Sequence, residues 1–102
     1  MQQITVVYNV SIDDDVQSAL EGAGIVEYTR IPRCQGVGRV TGPRRDDAVW
    51  PGFNAMVLAV VEDGAAPGVL AALQALRETD DGRLAGLFAW STPVLASLSP
   101  PR

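Results

Sequence analysis

Residues 55–61 (AMVLAVV) form the longest unbroken apolar run in the chain, seven residues without a polar break. A strand of this kind is apolar on both faces, the pattern of a position in the middle of a sheet covered on both sides. It is far too short to cross a bilayer, which takes about 20 residues. The chain must therefore build a layered domain around it. With 102 residues there is room for one such domain, which buries about two thirds of the surface its unfolded form exposes.

The flanking patterns supply the other elements. Residues 4–10 alternate as a strand, with Ile4, Val6 and Tyr8 on one face and Thr5, Val7 and Asn9 on the other. A helix follows, with Ser11 as its cap, Asp13, Asp14 and Asp15 at the positive end of its dipole, and Ile12, Val16, Ala19, Leu20 and Ala23 as its apolar stripe. Gly22 and Gly24 supply the stop. A second strand is expected over residues 25–31, with Pro32 limiting its continuation. Residues 32–52 carry no sustained periodicity, although 36–40 extend the strand irregularly. The apolar run then makes a strand over 53–62. A second helix begins near Pro67 and carries Val69, Leu70, Leu73 and Leu76 as far as Glu78. Thr79-Asp80-Asp81-Gly82 is its exit turn, and residues 84–90 make the fourth strand.

The order βαββαβ predicts an α+β, ferredoxin-like fold: a four-stranded antiparallel sheet with strands one and three central and two helices on one face. Residues 1–92 form the single domain, 33–52 a long loop within it, and 93–102 a tail. Two helices cover one sheet face, yet Val7, the apolar run and the fourth strand place aliphatic side chains on the other. An open apolar face calls for a partner, and a homotrimer with packed sheets is the first expectation.

Charge singles out the long loop. Residues 30–45 (RIPRCQGVGRVTGPRR) hold five of the eight arginines and no acid, so the remainder of the chain carries −9. An anion held by this segment is the first functional expectation. Nucleic acid is a poor fit, because the rest of the chain is acidic and the basic stretch contains no aromatic residue. The chain lacks both histidine and lysine, which removes triad chemistry, Schiff bases and the commonest transition-metal ligand. These absences point to a non-enzymatic protein without a metal. The start of the chain, MQQITVVYNV, has none of the features of a signal peptide, so a cytoplasmic location is expected, with no membrane insertion.

Within the loop, Gly36, Gly38 and Arg39 suit a phosphate: glycines admit close backbone approach, and an arginine fork matches two anionic oxygens. The same glycines equally suit a bulge where a strand leaves the sheet. Arg33, Arg44 and Arg45 complete the candidate ligand site, although Arg44 and Arg45 also have Asp46 and Asp47 beside them as ion-pair partners. Cys34 is either a thiol activated by nearby arginines or a small buried filler.

Tyr28-Thr29-x-x-Pro32, Gln35-Gly36-Val37-Gly38-Arg39 and Trp50-Pro51-Gly52-x-Asn54 together resemble the PII-like signalling proteins. The resemblance implies a trimer with inward-facing sheets and a loop between strands two and three, the T-loop, that senses ligands and contacts target proteins. An adenine nucleotide is the effector it implies. Val37 and Val40 stand where the family pattern has an aromatic residue and a glutamine. Thr79-Asp80-Asp81-Gly82-Arg83 is all that corresponds to the family's glycine-rich phosphate loop, and the family's C-terminal basic pair has no clear counterpart, Arg102 being alone at the end. A CutA-like structural trimer, with metal or without ligand, is the alternative on the same architecture.

Overall fold

A computed structural model describes residues 1–38, 42–44 and 53–99, with the backbone alone at 37–38 and 42–44. In chain order the elements are β1 (Gln2–Asn9), α1 (Asp13–Gly22), β2 (Thr29–Cys34), β3 (Gly36–Gly38), β4 (Gly42–Arg44), β5 (Asn54–Val61), α2 (Ala66–Arg77), α3 (Asp80–Leu84) and β6 (Phe88–Pro93). Four of the strands form one antiparallel sheet in the order β2-β5-β1-β6. This is the expected ferredoxin-like plan with strands one and three central, β5 being the expected third strand. The strands β3 and β4 pair separately as a short ribbon, so the long loop contains structure that its lack of periodicity did not announce.

One face of the sheet carries the core. Ile4, Val6 and Tyr8 of β1 lie with Ala55, Val57, Ala59 and Val61 of β5 against Val16 and Leu20 of α1 and Val69 and Leu73 of α2, all buried. The alternation expected for β1 therefore holds. On β5 the two faces differ: Met56 and Leu58 are half-buried and Val60 is exposed. The register places Val7, Met56 and Phe88 in one row and Thr5, Leu58 and Trp90 in the next. Ile31 of β2 joins the first row beside Met56. Phe88 is 62% exposed and Trp90 37%, and their rings lie 5.2 Å apart. The open apolar face anticipated from the sequence is present in the single chain.

Local chemistry moved several boundaries. The turn before α1 is a 3-10 segment over Val10–Ile12, and its cap is Asn9, whose side chain accepts from the Ser11 N–H. Ser11 is thus the residue capped and not the cap. The C-terminus of α1 closes with Gly24 at φ 87°, where the Gly24 N–H reaches the Glu21 carbonyl and the Ile25 N–H reaches Leu20, both at 2.9 Å. This paired closure spends Ile25 as a buried anchor on the helix, so β2 starts at Thr29 and not at residue 25. It then runs through Pro32, which an edge strand tolerates, with a register shift between Ile31 and Cys34.

The predicted exit turn at Thr79 is instead the start of a third helix. The Thr79 hydroxyl accepts from the Gly82 N–H at 3.0 Å and donates to the Leu76 carbonyl at 2.7 Å. This cap carries the chain helically to Leu84, and Gly86, at φ 65°, reverses it. The fourth strand therefore begins at Phe88, four residues later than the alternation suggested, with Leu87 buried just ahead of it.

Candidate functional site

Four segments meet at one end of the sheet: the ends of β1 and β2 and the beginnings of β5 and β6. Asn9 ties three of them together. Its Nδ2 donates to the Phe53 carbonyl at 3.1 Å, its Oδ1 accepts from the Ser11 N–H at 2.9 Å, and its own N–H donates to Ala85 at 2.9 Å. The Val10 N–H makes a second bond to the Phe53 carbonyl at 3.2 Å. The point where the long loop returns to the sheet is therefore held against the turn after β1 and the link between α3 and β6.

The outgoing side of the loop sits on the same base. The Arg33 guanidinium lies 4.4 Å from the centre of the Phe53 ring, a cation–π contact. The Cys34 thiol donates to the Asn54 carbonyl at 3.4 Å. Gly36 passes so close to the Asn54 amide that a Cβ there would overlap its nitrogen. A Cβ at Gly36 would thus have to displace the Asn54 side-chain amide, a packing reason for a glycine here that operates whether or not a ligand binds. In the ribbon, Gly36 is paired with Arg44 and Gly38 with Gly42. Of the sequence candidates, Arg33, Gly36, Gly38 and the Arg44 backbone are thereby placed on one connected unit. Arg39 and Arg45 lie outside the described residues, as do Asp46, Asp47 and Trp50.

Arg30 is not available to the loop. Its Nε and Nη2 donate to the two carboxylate oxygens of Asp13 at 3.0 and 2.6 Å. Asp13 also accepts from the buried Tyr8 hydroxyl at 2.5 Å and from Gln17 at 2.9 Å, and Tyr28 donates to Gln17 at 3.3 Å. Burial alone would push the Asp13 carboxyl up, but the hydrogen bonds from Arg30, Tyr8 and Gln17 prevail and hold it below the ordinary carboxylate value. Burial first, and then the Asp13 carboxylate, hold the Tyr8 phenol well above its usual range. The first arginine of the basic segment is therefore a structural ion pair. Burial also pushes the Cys34 thiol up, the opposite of the thiolate activation that neighbouring arginines suggested.

Next to this base lies a cavity of about 380 Å³ lined by Asn9, Ser11, Ile12, Asp81, Leu84 and Ala85. The α3 segment that walls it is internally satisfied. The Gly82 N–H is taken by Thr79, and a Cβ at Gly82 would overlap the Leu76 carbonyl oxygen. Arg83 is bound to Asp80 and donates to the Glu78 carbonyl at 2.9 Å. Sequence reasoning missed Asn9, Phe53 and Asp81. Asn9 had a detectable signal, an asparagine at the boundary between a strand and a helix. The contact of Phe53 with Arg33 joins residues twenty positions apart, which no local pattern records. Among the described residues no group of three His, Cys, Asp or Glu side chains is arranged to hold a metal ion.

The family model for nitrogen regulatory protein P-II matches residues 1–93. No curated protein sequence matches the chain. Among solved structures it is similar to CPII, a nitrogen regulatory PII-like protein from Thiomonas intermedia K12. Against CPII bound to ADP, AMP and bicarbonate, the identity is 15% and the TM-score 0.68, covering 91% of this chain and 86% of that one. The form bound to ADP and bicarbonate gives 17% and 0.68 with the same coverage. The apo form gives 17% and 0.62, covering 91% and 89%. At such identities the likeness is one of fold.

Proposed function

Because this chain belongs to the nitrogen regulatory protein P-II family, we propose that it is a homotrimeric, non-enzymatic regulator whose loop 33–52 binds a small anion and, once ordered by it, engages a target protein. The observation that carries this reading is the loop base itself. Arg33 and Gly36 at the exit and Phe53 and Asn54 at the return are held together at the sheet end. A ligand bridging the two sides there orders everything between them. Arg39, Arg44 and Arg45 supply further cationic groups along the loop, with Gly36 and Gly38 allowing backbone approach. Adenine nucleotides and bicarbonate are the first anions to test, since both are bound in the CPII structures.

The trimer rests on the apolar row of Ile31, Met56, Val7 and Phe88, exposed at Ile31 and Phe88 and half-buried between them, and its neighbour Trp90, which three copies bury by facing their sheets inward. No described helix is long and apolar enough to cross a membrane, and we place the protein in the cytoplasm.

Sedimentation equilibrium and titration calorimetry test the proposal together. A trimer that gives saturable heat with AMP, ADP or bicarbonate, lost in Arg33→Ala, supports it, and Phe88→Glu is expected to shift the mass towards the monomer. A monomeric wild type with no heat at millimolar ligand sinks it. A melting temperature that responds to copper or zinc and to none of the anions favours the CutA-like metal trimer instead.

A further inference from the structure

The strand β6 is the last in its sheet, and the bonds at its two ends fix which of its backbone groups face outward. At one end the Val94 N–H donates to the Met1 carbonyl at 3.0 Å. In an antiparallel ladder the pairs that exchange such bonds alternate, so Phe88, Trp90 and Thr92 turn their backbone groups to β1 and Ala89 and Ser91 turn theirs away from it. At the other end the Leu87 carbonyl, in the same outward phase, accepts from Arg77 Nε at 3.0 Å. Among the described residues nothing pairs with the outward groups of Ala89 and Ser91. We infer that this free edge binds an extended acidic peptide of a partner protein, which joins the sheet beside β6, seats an aliphatic side chain between α2 and β6 and places a carboxylate on Arg77. The inference is independent of the loop and its anion.

The groove beside the edge has the lining such a strand needs. Leu70, Leu73, Gln74 and Arg77 recur at the spacing of one helical face, and that stripe of α2 meets Leu87 and Ala89 around a cavity of about 350 Å³. Ala89 is paired with the buried Val6, so it lies on the sheet face that the helices cover. Every second side chain of an added strand falls on that same face, at the mouth of this cavity. Main-chain bonds to the edge then give affinity, and the cavity gives selectivity.

Charge selects the partner. Arg77 is the one charged residue lining the cavity. Its bond to Leu87 closes the free edge at that end and holds the guanidinium there, while among the described residues its Nη atoms have no partner. The Gln74 amide is spent on Glu78 at 3.1 Å, which leaves the guanidinium as the donor for a carboxylate. A second copy of the chain fits poorly. Its exposed edge strands read TRIPRC in β2 and FAWSTP in β6, the first with two arginines and neither with an acid.

Panning a randomised heptapeptide phage library on the full chain tests the inference, followed by amide hydrogen exchange with a synthetic copy of the enriched peptide. Enriched sequences are expected to carry an acid close to an aliphatic residue, and the peptide to slow exchange at Ala89 and Ser91. Affinity should fall about ten-fold in Arg77→Gln, the loss of a charge-assisted bond, and vanish in Ser91→Pro, whose missing N–H points away from β1 and so spares the sheet. The Arg77 side chain is exposed, so Arg77→Gln carries the test alone if Ser91→Pro unfolds. Exchange at Ala89 and Ser91 that is already slow in the chain alone shows an edge filled by a second copy and overturns the inference. So do a library without enrichment, peptides that protect residues elsewhere, and an affinity unchanged in Arg77→Gln. All of these outcomes leave the anion site standing.

Discussion

Asp13 and Arg30 face each other across seventeen residues of sequence in a two-pronged ion pair, with Nε to Oδ1 at 3.0 Å and Nη2 to Oδ2 at 2.6 Å. The pair joins the first turn of α1 to the outer strand β2. Tyr8 adds a third bond from the central strand β1. One carboxylate therefore gathers a helix, a central strand and an edge strand, and it is 14% exposed.

The pair makes stability acid-sensitive in a defined direction. The folded-state value of Asp13 is lowered, so its contribution is fully present above the unfolded carboxylate value of about 3.9 and is lost as the pH falls through the folded one. Asp13→Asn is expected to cost about 1–3 kcal/mol at pH 7 and to flatten the decline in stability below pH 4. Urea melts between pH 2.5 and 7 measure both. An acid decline of unchanged steepness in the variant refutes the assignment.

Two glycines on successive helices should respond oppositely to alanine. At Gly82 a Cβ would overlap the Leu76 backbone carbonyl, which has no flexible end to move aside, whereas at Gly68 nothing lies within 4 Å. Gly82→Ala is expected to destabilise by about 2–4 kcal/mol, as overpacking at a rigid contact does. Gly68→Ala should stabilise by about 0.5–1 kcal/mol through helix propensity. Thermal denaturation of the two variants side by side settles the ordering.

Asn9→Ala removes a helix cap and the side-chain bond to the loop's return at once. A cost of about 1–2 kcal/mol is expected from the cap. Because the Val10 N–H still holds Phe53, the fold should survive. Amide hydrogen exchange is expected to rise at Phe53 and Asn54 while the middle of β1 stays protected; protection unchanged at both would refute the linking role.

The Cys34 thiol, raised by burial and donating to the Asn54 carbonyl, should be sluggish. Its reaction with a disulfide reagent at pH 7 is expected to run at least ten-fold slower than that of a free thiol and to accelerate to the free rate in urea. A native rate equal to the unfolded one would refute the protection by burial, and a faster one would show that the arginines around it activate the thiolate.

What the sequence determined by itself is the architecture. Periodicity is a local property, and the alternation of Ile4, Val6 and Tyr8, the run at 55–61 and the stripe through Leu70 and Leu73 each announce an element and a buried face without reference to the rest of the chain. The motifs around Tyr28, Gly36 and Trp50 named the family in the same way. Tertiary structure alone decided which partners the described arginines find. Arg30 sits in the same basic run as Arg33, but only the fold carries it to Asp13, and only the fold lays Arg33 on Phe53. Element boundaries moved for a related reason: the closure at Gly24 and the cap at Thr79 spend backbone hydrogen bonds that a periodic pattern does not count. Charge in the sequence is a sum over side chains, whereas a binding site depends on which of those charges find partners, and those partners lie far along the chain.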